Sequence, residues 1–218
     1  VVTVADNAAP TIVAQTITVN LDADGDAIFN AADLDNGSFD NCTAAASLSF
    51  GIAPSEATVD CDDLGLHQVT LRVTDAAGNY AETTLNVTIA DVTAPAISTP
   101  AASEEVECVA NNTTAFNTWL ANNGGAVATD ACDSVLDWTN NFGTDEGDVT
   151  FSDLCGPTGA VTVTFTATDD SGNSSSTTAT YTIKDETKPV AIATNIAVSL
   201  DANGSVSIVG ADVNNGSS

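Results

Sequence analysis

Asp75, Asn79 and Asp91 recur in kind as Asp169, Asn173 and Asp185, and the spacing from Asp75 to Asp91 is the same as that from Asp169 to Asp185. Side-chain carboxylates and amides gathered in loops can capture a hard divalent cation, and Ca²⁺ takes about six to eight such oxygens. Two further acids, Asp40 and Asp130, each stand just before a cysteine, in Asp40-Asn41-Cys42 and Asp130-Ala131-Cys132. Asp6 opens an acidic phrase closed by Pro10, and the same kind of phrase returns at Asp91 before Pro95 and at Asp185 before Pro189. In a β-sandwich the strand after a turn carries the chain to the far end, so one unit's turn neighbours the joint ahead of it. The predicted calcium clusters are therefore Asp6 with Asp40, Asp75 and Asn79, and Asp91 with Asp130, Asp169 and Asn173. Asp185 lies at the next joint. Turn chemistry accounts for Gly78 and Gly172. It does not account for acids collecting beside every joint, where they repel one another.

Asp22-Ala23-Asp24-Gly25-Asp26 imitates the start of an EF-hand loop and fails as one. Ala27 stands where that loop needs Gly, Asp33 where it needs Glu, and Ser205 replaces Asp26 in a later copy. A hairpin turn is the better expectation.

The chain has 5 cysteines. Cys42 with Cys61, and Cys132 with Cys155, occupy matching places at similar separations. Both pairs are predicted disulfides, each worth on the order of 3 kcal/mol in the chain-entropy model. No C-x-x-C pair suggests thiolate metal binding, and disulfides imply an oxidising, extracellular setting. Cys108 is left over, as a buried, inert residue or as a link between chains.

Signals for catalysis are weak. His67 is the only histidine and has no nucleophile motif beside it. Carboxylate pairs are easily found among 30 acids, so finding one carries little weight. Trp119 and Trp138 are core anchors or, in the functional alternative, a platform for sugar rings. Three basic residues against 30 acidic ones give a net charge of −27, which repels nucleic acid and anionic membranes. No apolar run approaches the ~20 residues of a membrane span. Asn36, Asn86 and Asn112 head N-glycosylation triplets that are common by chance.

The elements that must position these residues are repeated. The intervals from Pro10 to Pro95 and from Pro95 to Pro189 are similar, and each is the size of a small sandwich domain, roughly 100 residues. A single constant shift lays Leu200 to Gly204 on Leu21 to Gly25, and Ala211 to Ser217 on Ala32 to Ser38, without a gap. The middle copy opens differently, with Val106-Glu107-Cys108 and one or two helical turns expected over 114–123. Alternating runs at Gln68 to Val73 and Val161 to Thr166 predict half-buried strands, with closing strands from Thr83 to Ile89 and Thr178 to Ile183. Asp75 to Asn79 and Asp169 to Asn173 are the turns between them. The expected fold is all-β: tandem immunoglobulin-like β-sandwich repeats in an elongated array. Residues 1–8 end one repeat, 9–92 and 93–186 are complete repeats of a first and a second type, and 187–218 begin another of the first type. The chain is thus expected to be a segment of a longer protein.

The combination of D-N-C, a second cysteine, T-D-x-x-G-N and D-x-x-x-P resembles hyalin-repeat (HYR-like) immunoglobulin-like modules of large surface and secreted proteins of Bacteroidetes, including gliding adhesins. The resemblance covers nearly the whole chain. It implies a non-enzymatic stalk or filament segment of an extracellular adhesin at the bacterial cell surface, with neighbouring repeats of the same chain as its partners. The alternatives are a glycan-binding accessory region of a secreted enzyme and a self-assembling surface fibre. Many second-type relatives carry a cysteine in the T-D-x-x-G-N turn, where this chain has Ser171.

Overall fold

The computed structural model describes residue 2 and residues 4–53, 57–109, 112–142 and 159–216. The chain is all-β, built as tandem sandwiches around two separate apolar cores.

In the first unit the long strands are β5 (Gly65–Thr74) and β6 (Tyr80–Ala90), an antiparallel hairpin registered from Gly65↔Ile89 to Thr74↔Tyr80. Period-2 alternation builds it: Val69, Leu71, Val73, Val87 and Ile89 point inward and are buried, while Thr70, Arg72, Glu82 and Thr84 face outward. Arg72 pairs with Glu82 across the outer face and stacks on Tyr80 at 4.2 Å. On either side lie β1 (Thr18–Asn20), parallel to β6, and β3 (Ser49–Ala53), antiparallel to β5, giving the order β1-β6-β5-β3. The facing layer is the pair β2 (Ala27–Phe29) and β4 (Ala57–Val59), with Phe29 and a 3₁₀ turn at Ala31–Leu34 closing the core.

The second unit repeats the plan. After β7 (Ala96–Thr99) and β8 (Glu104–Glu107) come helix α1 (Asn112–Ala121), β9 (Val127–Thr129), β10 (Asp137–Asn140), β11 (Gly159–Thr168) and β12 (Ser174–Lys184). Its four-stranded sheet has the order β10-β11-β12-β8, again with a parallel edge, and β7 pairs with β9. The helix expected over 114–123 is α1. It buries Phe116 and Trp119, three positions apart on one face, against Phe165 and Tyr181.

Several turn and bridge hydrogen bonds of the first copy recur at the matching places of the last. Asp22 N–H donates to the Asp26 carbonyl at 2.9 Å, and Asp201 N–H to the Ser205 carbonyl at 2.8 Å. Both make a tight hairpin turn, as expected for this stretch. Asn30 N–H donates to Asp33 Oδ2 at 2.8 Å, as Val209 N–H does to Asp212 Oδ2 at 2.9 Å in front of α2 (Gly210–Val213). The bridge Ala14↔Asp35 returns as Ala193↔Asn214.

Candidate metal and disulfide site at the joints

The turn between β5 and β6 is held by its first residue. Asp75 Oδ1 accepts the N–H groups of Ala77 at 2.9 Å and Asn79 at 2.8 Å, and the Gly78 N–H donates to the Asp75 carbonyl at 3.3 Å. Gly78 takes φ +93°, the left-handed region that favours glycine. Burial pushes the Asp75 carboxyl up, but the hydrogen bonds from the Asn79 side chain and the turn's backbone outweigh it, so its pKa lies below the ordinary carboxylate value. Asp169 closes the β11–β12 turn in the same way, accepting the Asn173 N–H at 2.7 Å.

Each turn reaches back to the joint ahead of it. Asn79 Nδ2 donates to Asp75 Oδ2 at 2.7 Å and to the Asp6 carbonyl at 3.2 Å. Asn173 Nδ2 donates to Asp169 Oδ2 at 2.9 Å and to the Asp91 carbonyl at 3.3 Å. The joint acids share one local shape, with Asp6, Asp91 and Asp185 each accepting the N–H two positions on.

Asp6, Asp40 and Asp75 bring carboxylate oxygens within 4.8 Å of one another. Three segments contribute: the joint, the D-N-C turn and the end of β5. Asp40 Oδ2 accepts the N–H groups of Cys42 and Thr43, both at 2.8 Å, whereas Asp40 Oδ1 is buried and has no hydrogen-bond partner. At the second joint Asp91 and Asp130 lie within the same distance of each other and of the Cys132 sulfur. Asp169 joins this group only through Asn173, and Asp185 stands exposed, outside either group.

The cysteines pair differently from the expectation. Cys42 does not bond Cys61; Cys61 bonds Cys132, across the joint between the two units, with Cα atoms 5.1 Å apart. The reason is strand length. The 10 residues of β5 separate the Cys61 end of the first sandwich from the Asp75 end, a span of about 34 Å at ~3.4 Å per residue. Cys42 belongs to the Asp75 end, where Asp6, Asp40 and Asp75, with a share from burial, hold its thiol above the ordinary value. Cys61 lies at the opposite end, against the Asp22–Asp26 turn, where its Sγ is 3.7 Å from the Gly25 carbonyl. Gly25 has φ +84°, and a Cβ there would sit 2.6 Å from Cys61 Sγ and 3.5 Å from Cys132 Sγ. Only glycine lets the turn pass this close to the bridge. Cys132 accordingly packs against the first unit's core.

Cys108 is itself disulfide-bonded, not left over as expected, and Cys155 lies outside the described residues. Cys42 is free and exposed.

The tryptophans are core anchors, the first of the two readings offered for them. Trp119 is buried, donates its indole N–H to the Ala102 carbonyl at 3.0 Å and packs on Phe116, Phe165 and Tyr181, while Trp138 lies half-buried against the same core. Neither indole forms an open platform for a sugar ring. Asn112 is buried and donates its side-chain amide to the Glu107 carbonyl at 3.2 Å, so it is no glycan acceptor in the folded unit.

No protein-family model matches the chain, and no curated protein matches it, so the hyalin-repeat resemblance has no counterpart there. Among solved structures, mouse cadherin-23 repeats EC22–24 are similar at 14% identity and a TM-score of 0.36, over 83% of this chain and 69% of that one. Drosophila N-cadherin EC1–4 is similar at 14% identity and TM-score 0.34, over 82% of this chain and 50% of that one. The human desmocollin-1 ectodomain is similar at 12% identity and TM-score 0.31, over 84% and 43%. This chain thus spans half or less of the last two, and likeness at this level does not extend to what those proteins bind.

Proposed function

We propose that this chain is a non-enzymatic structural segment of a large extracellular adhesin of the hyalin-repeat kind. In this reading bound calcium and a covalent bridge at the joints hold successive modules in fixed relation. The observation that carries it is Asp40 Oδ1, a buried carboxylate oxygen without a hydrogen-bond donor, set among the carboxylates of Asp6 and Asp75. A buried anionic oxygen is costly unless a cation or donor meets it. Ca²⁺ fits the all-oxygen donor set. Asp6, Asp40 and Asp75 would hold it at the first joint, and Asp91 and Asp130 at the second, with Asn79 and Asn173 orienting the turn acids and the joint backbone. Bound calcium would neutralise acids that otherwise push the modules apart.

The module boundaries follow the repeats: 1–8 closing one module, 9–92 and 93–186 complete, 187–218 opening another. Val198, Leu200 and Ile208 are 48%, 64% and 50% exposed, whereas their counterparts Val19, Leu21 and Phe29 are 9%, 3% and 5% exposed. In the tandem reading, a sheet of the same module would cover these side chains as it covers their counterparts. The Cys61–Cys132 bridge supports an oxidising, extracellular setting. Placement at a bacterial surface, and in gliding, rests on the sequence resemblance.

Small-angle scattering with about millimolar calcium and again after chelation, alongside a thermal melt, tests this function. A rod that loosens and melts lower without calcium supports metal-stiffened joints. Unchanged shape and melting would remove calcium from the proposal, leaving proline, packing and the disulfide to set rigidity.

A further inference from the structure

We propose that Cys42 forms a disulfide with a cysteine at the abutting end of the module that precedes it, so that the modules are stapled in series across their joints. This rests on the tandem-array reading above and adds a covalent bond at a second joint.

Cys42 and Cys132 hold one position in two copies of the fold. Each follows an aspartate by two positions and donates its N–H to that carboxylate, Cys42 to Asp40 at 2.8 Å and Cys132 to Asp130 at 2.9 Å. Each lies beside the joint acid ahead of it, Asp6 or Asp91. The occupied copy shows what the position accepts, since Cys132 is bonded to Cys61 from the far end of the preceding sandwich. No described cysteine of this chain is left for Cys42, because Cys61, Cys132 and Cys108 are all in disulfides.

The sequence correspondence bears on the occupant. Val2, Val4 and Asp6 hold the places ahead of the first joint that Val87, Ile89 and Asp91 hold ahead of the next, where Val87 and Ile89 belong to the closing strand β6. In the tandem reading Val2 and Val4 close a module of this same fold, and its far end would meet Cys42 as Cys61 meets Cys132.

Forming the bond removes one hydrogen from each thiol, two protons and two electrons in all. A disulfide donor takes them up, its S–S bond breaking to give two thiols.

The test uses the natural parent chain, denatured in iodoacetamide without reductant and cleaved at acidic residues. Mass spectrometry should find the Cys42 peptide joined to a peptide of the preceding module, in the same digest as the Cys61–Cys132 pair. Thiol titration of a Cys42→Ser parent should reveal one more free thiol than the unaltered protein, the abandoned partner. A carbamidomethylated Cys42, or one free thiol fewer in the variant, overturns the proposal. If a preceding module of this fold is present in that case, the tandem reading survives; if none is present, both readings fall together.

Discussion

The Asp35 carboxylate accepts the N–H of Gly37 at 3.2 Å and of Ser38 at 3.0 Å. Burial raises its pKa, but hydrogen bonds from the Ser38 side chain and from the backbone of Ser38 and Gly37 more than compensate, leaving it below the ordinary value. A depressed folded-state pKa means that the ionised form stabilises the fold. That contribution is present above the unfolded pKa of about 3.9 and is lost as pH falls through the lower folded value. Asn214 stands at the equivalent place in the last copy, so Asp35→Asn is a substitution the turn accepts. With a chelator present, the variant should melt below the wild type at pH 5, and the gap should close as pH approaches 2. Thermal melts across that range check it, and a gap independent of pH would deny the carboxylate its role. The turn acids were legible in the sequence because Asp followed by Gly and Asn at fixed offsets has one local use. Asp40 Oδ1 was not, since its lack of a donor depends on three segments meeting.

The long strands were legible for a similar reason: two faces, one buried, impose alternation, and β5, β6, β11 and β12 carry it over their whole lengths. Very short strands such as β1, β2 and β7 cannot show a period and are fixed by what they pair with. Helix α1 lies between. Its pattern suggested helical turns, yet its service to the core is tertiary, with Trp119 set edge-on to Phe165 at 5.2 Å and tilted against Tyr181 at 5.3 Å. Trp119→Ala removes the largest side chain of that face and leaves a cavity, at a cost of about 3–5 kcal/mol. Urea titration should show the second unit's midpoint falling while the slope holds, with the first unit's transition in place. A loss under about 1 kcal/mol would mean that the indole is peripheral to the core.

The Cys61–Cys132 bridge changes how the two sandwiches relate, because its sequence separation of 71 includes β5, β6, the joint and β7 to β9. The geometry of alternate ends that places each turn beside the preceding joint also sends Cys61 toward the following one. Matching by sequence position alone paired cysteines from opposite ends of one sandwich. In the chain-entropy model, closing a loop of this length is worth about 4 kcal/mol, and that gain is shared between two cores because the bond belongs to neither alone. Calcium at the same joint would constrain the same relative motion, so the two constraints should be non-additive. Calorimetry of Cys132→Ser should therefore show two transitions further apart than in the wild type. Chelation should lower the variant's second transition more than the wild type's, since the bridge no longer holds the joint when the acids repel. Equal shifts on chelation would mean that bridge and acids act on separate motions, and an unchanged calorimetric profile would mean that the bridge fastens modules already rigid without it.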